Sequence, residues 1–358
     1  MGPGSAVVTK TKGALQIERP SRQQPTMADV ARRAGVSVMT VSRALKRGTS
    51  ISDETRARIV AAVEELGYVL DQTAGTLSSK RSNFIAALIP SINNSNFSDT
   101  VRGITEVVEE SGLQLLLGYT DYKTKAEEKL VELTLQRRPE GIILTGGRHS
   151  PLTRRRLTSA GVPVIEIWDD PTDPIEHVVG FSNAEAMRAL VHRLHGRGYR
   201  DIGFIGGSGE RDTRGSDRRR GYLRAVEQLG LPPGRIVALG EPPITMEQGG
   251  IAIRRLIADW PSVDAAVCVS DLSAFGAVME CHRQGWDVPG RIAIAGFGDF
   301  EVARFAHPRI TTVSVDAFSI GQAAGRMMVR ATEASRSGVI LPRQTEATPF
   351  RVIERQST

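Results

Sequence analysis

The stretch MADVARRAGVSVMTVSRAL, residues 27–45, contains two short helical patterns separated by a glycine. Thr26 precedes the first pattern and Asp29 follows three residues later, which is the order of an N-terminal capping box. Gly35 is expected to end the first helix, and Ser37 is expected to cap the second. Two such helices joined by a tight turn are typical of a helix-turn-helix motif.

A third helix is predicted immediately downstream. Ser52 caps it, acidic residues follow in its first turn, and Gly67 ends it. Apolar residues recur along it at helical spacing: Ile59, Val60, Val63 and Leu66. Together with the apolar positions of the first two helices, they predict one small three-helix core.

The second helix carries outward-facing side chains that a solvated helix would disfavour. They are Val38, Met39, Thr40, Ser42 and Arg43. An arginine fork can donate to guanine, hydroxyls can reach phosphates or base edges, and apolar groups can contact thymine methyl groups. We therefore predict that this helix reads a major groove of DNA, with Thr26 and Ser37 contributing contacts. The alternative is a protein-binding module with a solvated basic face.

The charge distribution favours DNA as the partner. The 358 residues include 46 Lys and Arg and 40 Asp and Glu, which gives a formal net charge of +6. Residues 1–82 contain 13 of the basic and 7 of the acidic residues, so the whole excess lies at the N-terminal end. A compact basic module suits a polyanion, because each neutralised phosphate releases counterions.

Composition argues against several other classes. No apolar run approaches the roughly 18 residues that a membrane span needs, so no membrane partner is expected. Residues 1–25 lack a signal-peptide pattern and predict a flexible tail on a cytoplasmic protein. Cys268 and Cys281 have apolar neighbours, as reduced core thiols do. Nothing in the spacing of histidines and cysteines indicates a metal site, and no cofactor is expected.

From residue 83 onward, short apolar runs alternate with helical patterns. The runs are FIAALIP, LQLLLGY, GIILTG, VPVIEIW, IGFIGG, AAVCVS and IAIAGFG. This rhythm predicts an α/β fold of βαβ units with parallel sheets, in which ligands bind beyond the carboxyl ends of the strands. An enzyme is not expected, because GFIGGSGERDTRG lacks the GxGxxG order and GGSGE is not a GxSxG nucleophile elbow.

Three segments together resemble the LacI/GalR family of bacterial repressors: MADVARRAGVSVMTVSRAL, ISDETRARIVAAVEELGY and AGTLSSKRSNFIAALIP. The resemblance covers about residues 26–354. It implies a helix-turn-helix DNA-binding domain over residues 26–70, a hinge helix over 71–82, and an effector and dimerisation domain over 83–354. It also implies a homodimer that represses transcription from a palindromic double-stranded DNA operator and responds to a small-molecule effector.

In this family the effector domain is two-lobed and like a periplasmic binding protein, with doubly wound parallel sheets. The resemblance places chain crossings between the lobes near residues 180 and 315. It also implies that the hinge becomes helical on the operator, where a leucine from each subunit enters the minor groove. Leu77 matches that leucine, and Lys80 is predicted as a further DNA contact. Gly75 departs from the long polar residue of many relatives, and an inert linker is the alternative.

Candidate effector contacts follow the predicted strands or begin the next helix: Asn96, Phe97, Asp121, Arg148, His149, Glu166, Trp168, Arg214, Arg218, Asp271 and Asp299. Carboxylates beside aromatic rings suit hydroxyl-rich ligands, whereas an arginine fork suits a carboxylate or a phosphate. Arg218 matches an arginine that contacts effector in much of the family, but Gly298 stands where many relatives have a ligand-binding aspartate.

The body resembles the gluconate-type repressors of the family most, in LTGGRHSP, PVIEIWD, HVVGFSN and IAIAGFGDF. This resemblance implies a sugar acid as effector. A neutral sugar and a purine-type corepressor are the alternatives. The expected mechanism is a population shift, in which the effector favours a lobe arrangement that separates the two hinges, so that effector and DNA oppose each other.

The predicted role of Leu77 in the hinge can be tested by substitution. If Leu77 is a minor-groove wedge, Leu77→Ala will lower operator affinity and reduce the DNA bend, because the kink and the wedge are one event. Effector affinity should be unchanged. A circular-permutation gel shift of wild type and variant measures both effects, and an unchanged bend and affinity would make the segment a plain linker.

Overall fold

The computed structural model of this protein describes residues 24–45, 51–69, 81–207 and 212–358. It divides into two units, one within residues 1–80 and one over residues 81–358. Nearly all of the predicted tail and of the predicted hinge lies outside the described residues, and so do Leu77 and Lys80.

The first unit contains three helices: α1 (Met27–Ala34), α2 (Val38–Leu45) and α3 (Asp53–Leu66). Both halves of the capping box are formed, because the Thr26 hydroxyl accepts from the backbone N–H of Asp29 and the Asp29 carboxylate accepts from the N–H of Thr26. Gly35 ends α1 with a φ of 66° and Gly67 ends α3 with a φ of 63°, a conformation that favours glycine.

One small core holds these helices together. Val30, Val41 and Ile59, one from each helix, are fully buried against one another. The Arg56 guanidinium on α3 donates to the carbonyl oxygen of Ala44 at 2.6 Å, which satisfies an open carbonyl group at the end of α2. The fold therefore fixes which face of α2 points outward.

The second unit is built on two six-stranded sheets. The first, in the order β11-β5-β4-β3-β1-β2, is parallel throughout. Its strands are β1 (Phe84–Ile89), β2 (Gln114–Tyr119), β3 (Ile142–Thr145), β4 (Val164–Ile167), β5 (His177–Gly180) and β11 (Thr345–Ala347). The helices of this lobe are α4 (Ser95–Glu110), α5 (Thr124–Gln136), α6 (Pro151–Ala160) and α12 (Ala317–Arg336).

The second sheet has the order β12-β10-β9-β8-β6-β7, and only β12 runs antiparallel to its neighbour. Its strands are β6 (Ile202–Gly206), β7 (Ile236–Ala238), β8 (Ala265–Cys268), β9 (Ala293–Phe297), β10 (Thr311–Val315) and β12 (Phe350–Ile353). The helices of this lobe are α7 (Asn183–Gly196), α8 (Thr213–Gln228), α9 (Met246–Asp259), α10 (Asp271–Gln284) and α11 (Glu301–Phe305).

The chain passes between the lobes three times. It crosses after β5 near residue 180 and returns after β10 near residue 315, which confirms the two predicted crossings. A third crossing, between β11 and β12 near residue 348, was not predicted. The apolar-run analysis also missed β5, β7, β10, β11 and β12, because these strands are short or mix polar residues into the run.

Two helices of the second lobe, α7 and α8, pack closely because Gly221 has no side chain. A Cβ atom at position 221 would overlap the carbonyl oxygen of Ala184, which belongs to the backbone of α7 and cannot rotate away. The side chain of Tyr222 is fully buried beside this contact and donates to the carbonyl oxygen of Ile202 at 2.9 Å. This contact joins the helix pair to the second sheet.

We therefore expect Gly221→Ala to lower the free energy of unfolding by about 1–3 kcal/mol, because over-packing forces the helices apart. Gly196→Ala is the matched control, since Gly196 ends α7 with open space around its Cα and should change stability by less than about 0.5 kcal/mol. Urea unfolding followed by tryptophan fluorescence measures this difference, because all three tryptophans lie in the second unit. Equal stability of the two variants would contradict it.

Candidate functional site

The outward face of α2 carries the predicted DNA-reading residues. Val38 is 46% exposed and Met39 is 66% exposed, although both are apolar. The Ser37 hydroxyl accepts from the backbone N–H of Thr40 at 3.1 Å and lies 2.8 Å from the Thr40 hydroxyl, so it caps the start of α2. Arg43 is exposed one turn further along the helix. Apolar side chains and hydrogen-bonding groups are thus presented together.

The remaining two predicted DNA contacts differ in their surroundings. Thr26 is exposed, and its hydroxyl donates to the Asp29 carboxylate at 2.7 Å within the capping box. Ser42 lies half-buried on α2, beside the core residue Val41. Thr26 therefore has a demonstrated structural role at the start of α1, and a phosphate contact there would come in addition to it.

A cavity of about 90 Å³ lies between the two lobes of the second unit. Its walls come from the segments that follow β1 and β4 in the first lobe and β8 and β9 in the second, and from the start of α8. This is the carboxyl edge of both parallel sheets, where ligands of such folds bind. The structure brings five predicted effector residues to this cavity: Asn96, Phe97, Trp168, Arg214 and Arg218.

Two arginines of α8 face this cavity, and both lie over aromatic rings. The Arg218 guanidinium carbon is 3.7 Å from the centre of the Phe297 ring, and that of Arg214 is 5.0 Å from the centre of the Phe97 ring. Burial lowers the pKa of Arg218 to about 10, so the side chain still carries its charge near neutral pH. Among the residues that the structure describes, neither arginine forms an ion pair with a carboxylate.

Few acidic groups balance these charges. Within the described lining, Asp212 is the single acidic residue, and its carboxylate accepts from the backbone N–H of Gly215 as the cap of α8. Gly298 lies in the wall with a φ of 121°, and a Cβ atom there would overlap the Phe300 ring. A side chain at position 298 would thus strain the local backbone, and the charged residues of the described lining, Arg214, Arg218 and Asp212, leave a net positive charge.

A chain of hydrogen bonds connects this cavity to the first crossing between the lobes. Arg218 donates through Nε to the Asn183 side-chain oxygen at 2.9 Å, and Asn183 donates to the Trp168 carbonyl oxygen at 3.0 Å. Trp168 has a φ of 68°, which strains a residue of its size. Sequence reasoning missed Asn183, although its place at the start of α7, directly after a strand, was a usable signal.

Four predicted acidic residues do not line this cavity, and each has partners elsewhere, although the Oε1 atom of Glu166 is buried without a hydrogen-bond partner in the described structure. Glu166 is fully buried in β4 and accepts from the backbone N–H of Ile175 at 2.6 Å. Asp271 accepts from the Thr312 hydroxyl at 2.6 Å and from the N–H of Phe300 at 2.7 Å. Asp299 pairs with Arg355 and Arg304, and Asp121 pairs with Lys123 and Tyr119. Removing the fully buried carboxylates of Glu166 and Asp271 from such partners is costly, whereas Asp121 is partly exposed.

Arg148 and His149 also lie outside this cavity. Arg148 of the first lobe forms an ion pair with Asp217 of α8 in the second lobe, so it joins the lobes. His149 is buried, with Nδ1 3.0 Å from Glu127 and Nε2 3.4 Å from Glu166. Burial opposes the charge on His149, but the two carboxylates outweigh it and raise the pKa to about 9. His149 therefore serves as a charged link within the first lobe.

Within the described ranges, no group of three or more His, Cys, Asp or Glu side chains is arranged to hold a metal ion. Cys268 and Cys281 are buried free thiols. None of the described helices combines the length and the apolar character that crossing a membrane would need.

A helix-turn-helix unit followed in one chain by a two-lobed body defines a class of DNA-binding regulators. Comparison with known families agrees with this assignment. Residues 26–71 match the model described as bacterial regulatory proteins, lacI family, and residues 191–358 match a periplasmic binding protein-like domain.

Similar proteins cover most of the chain. The HTH-type transcriptional regulator GntR of Escherichia coli (strain K12) is 34% identical over 310 residues, which are 86% of this chain and 92% of that protein. The HTH-type transcriptional regulator IdnR of the same strain is 32% identical and covers 85% and 91%. The solved structure of a LacI family regulator from Silicibacter pomeroyi is 32% identical, covers 93% and 99%, and has a TM-score of 0.84.

The protein therefore belongs to the LacI family and is a transcriptional repressor, which confirms the family predicted from its motifs. The predicted α/β fold with a helix-turn-helix unit is confirmed as well. Its relatives and its fold are those of DNA-binding regulators and not of enzymes.

The exposed face of α2 makes a prediction about DNA reading. We expect Arg43→Ala to weaken binding to a palindromic site, selected from a random DNA pool, by about 1–3 kcal/mol per half-site, since a bidentate contact to guanine is lost. Binding to unrelated DNA should change little.

Arg58→Ala is the matched control, because it removes the same charge from an exposed position on α3. It should affect selected and unrelated DNA equally. Fluorescence anisotropy on both DNAs measures the two affinities, and equal losses for Arg43→Ala would contradict base reading by this residue.

Proposed function

We propose that this repressor is controlled by a sugar acid that binds in the cavity between the lobes. The observation that carries the proposal is a pair of arginines at the cavity, buried Arg214 and half-buried Arg218, neither of which forms an ion pair with a carboxylate among the described residues. A buried cation without an anion is unfavourable, and a ligand carboxylate would relieve this cost through charge-assisted hydrogen bonds. The likeness to gluconate-type repressors supports the same ligand class.

The rest of the cavity suits the polyhydroxyl part of such a ligand. Asn93, Asn94, Asn96 and Ser91 line one wall and offer both donors and acceptors to hydroxyl groups. The rings of Phe97 and Trp168 form a T-shaped pair with centres 5.6 Å apart, and their faces can cover C–H groups. A neutral sugar would use these same walls but would leave the arginine charges unbalanced.

We propose that effector binding reaches the DNA-binding end through the crossings between the lobes. A carboxylate on Arg218 would compete with the Asn183 side chain and the Val269 carbonyl oxygen, to which Arg218 now donates. Asn183 also holds the strained backbone of Trp168, so a change at Arg218 biases the crossing near residue 180. Effector and operator would then favour different lobe arrangements and weaken each other's binding.

The proposal includes a homodimer on a palindromic operator. β2 is an edge strand of the first sheet and exposes Leu116, Leu117 and Tyr119, each to between 42% and 50%. An edge strand with exposed apolar side chains favours association with another chain. Two-fold symmetry of the protein would match two DNA half-sites one or more helical turns apart.

We expect Arg218→Ala to weaken gluconate binding roughly ten- to hundredfold, because a charge-assisted contact is lost. Calorimetry on the full chain measures this effect. Quenching of tryptophan fluorescence provides a second readout, because Trp168 lines the cavity.

Two further variants separate ligand binding from folding. Arg218→Lys keeps the charge but loses the planar fork, and it should fall between wild type and Arg218→Ala. Arg224→Ala removes an exposed arginine from the same helix and should bind gluconate normally. If Arg218→Ala binds gluconate as tightly as wild type does, the proposed site is wrong. If wild type binds only a neutral sugar or a purine, the proposed ligand class is wrong.

A further inference from the structure

A second cavity of about 80 Å³ lies beside the first one. It is bounded by the ends of β2 and β3 in the first lobe, by the start of α5, and by the start of α8 in the second lobe. Both cavities share Tyr122, Asp212 and Arg214 in their walls, so they are two compartments of one cleft. A ligand that fills both compartments must pass Arg214.

Arg214 is the first reason to expect an anion at this boundary. Its side chain is 6% exposed and lies over the rings of Phe97 and Tyr122. In the described part of the chain it has no hydrogen-bond acceptor and no ion-pair partner, whereas Arg218 already donates to Asn183 and Val269. A carboxylate on Arg218 would leave donors of Arg214 available for another anion.

The far wall of the second compartment adds two more cations, Lys123 and Arg148. Each forms one ion pair with a carboxylate and is about half exposed, Lys123 with Asp121 and Arg148 with Asp217. The exposed Lys123–Asp121 pair contributes little to stability, so Lys123 can turn to a ligand at small cost. Asp217 is buried, but it also pairs with Arg220 and so keeps a cationic partner when Arg148 turns to a ligand.

Two acidic residues, Glu127 and Asp212, also line the second compartment. Glu127 lies 3.0 Å from His149, which is charged because the neighbouring carboxylates raise its pKa to about 9. Asp212 caps α8. Both carboxylates are thus engaged with their own neighbours, and Arg214 is the one cation of the described lining without an ion-pair partner.

Neutral donors complete the compartment. Helix α5 begins at Thr124, and Lys123 and Thr124 at this helix end line the compartment. The preceding Lys123 makes no side-chain capping hydrogen bond. Thr120, Thr124, Thr145 and Thr213 add hydroxyl groups to the lining. Arginine, lysine, hydroxyls and a helix N-terminus form a typical donor set for a phosphate group.

We propose that the effector is a sugar acid that also carries a phosphate ester at the end opposite its carboxylate, and that Lys123, Arg148 and Arg214 bind this phosphate. The inference rests on the proposed function, since it takes Arg218 as the carboxylate contact. It explains why the cleft has two basic compartments separated by one buried arginine.

The test compares three compounds by calorimetry on the full chain: gluconate, 6-phosphogluconate and glucose 6-phosphate. We expect 6-phosphogluconate to bind at least about tenfold more tightly than gluconate, because several charge-assisted contacts are added. Lys123→Met should reduce this preference to below about threefold and leave gluconate affinity unchanged. Lys125→Met is the matched control, since Lys125 is exposed outside the compartment and should keep the preference.

The possible outcomes separate the two proposals. If wild type binds gluconate but gains nothing from the phosphate, the phosphate compartment is wrong while the sugar-acid function stands. A preference that survives in Lys123→Met would also overturn the inference, because the phosphate would then bind elsewhere. If gluconate and 6-phosphogluconate both fail to bind, or if glucose 6-phosphate binds as tightly as 6-phosphogluconate, the carboxylate contact fails, and with it the proposed function.

Discussion

Three chain crossings between the two sheets constrain everything else in the second unit. Each sheet is completed by a strand that lies beyond a crossing in the chain. β11 belongs to the first sheet and β12 to the second, although the two strands are consecutive in the chain. The lobes can therefore move only by adjusting the short segments near residues 180, 315 and 348. The cleft lies at the carboxyl edges of both sheets, next to these segments. A ligand that contacts both lobes there would therefore favour one conformation of the crossing segments.

The arginines of α8 contact residues of the other lobe or residues beside a crossing. Arg214 and Arg218 belong to the second lobe, yet Arg214 lies over Phe97 of the first lobe and Arg218 bonds to Asn183 beside a crossing. Asn96 of the first lobe also donates to the carbonyl oxygen of Gly298 in the second, at 2.8 Å. Contacts between the lobes thus lie within the cleft itself, so a ligand that displaced them would change the lobe arrangement.

Local features of the first unit could be predicted from the sequence in detail. The capping box at Thr26, the left-handed glycine at position 35 and the buried Val41 all depend on residues within a few positions of one another. Strands with long apolar runs, such as β1 and β9, were predictable for the same reason. β11, with the sequence TEA, and β12, with FRVI, were not, because their pairing comes from distant strands and not from their own residues.

The cleft was predictable only in part. Trp168 and Phe97 line the cavity, as expected for positions that topology alone brings to one edge, and their contact with an effector stays a prediction. The strand-end rule fails for Glu166, Asp271 and Asp299, because it cannot tell which carboxylates are used by neighbouring donors such as Thr312 and Arg355. These donors come from elements far away in the chain, so only the folded arrangement reveals them.

Gly298 has a consequence for how ligand preference can change during evolution. Its backbone conformation and the adjacent ring of Phe300 both resist a side chain at this position. A single mutation to aspartate would strain the loop before it could offer a new contact, so recovering the acidic group of other family members requires coordinated substitutions at both positions. A change of ligand preference that depends on an acidic side chain at position 298 therefore needs more than one mutation from this sequence.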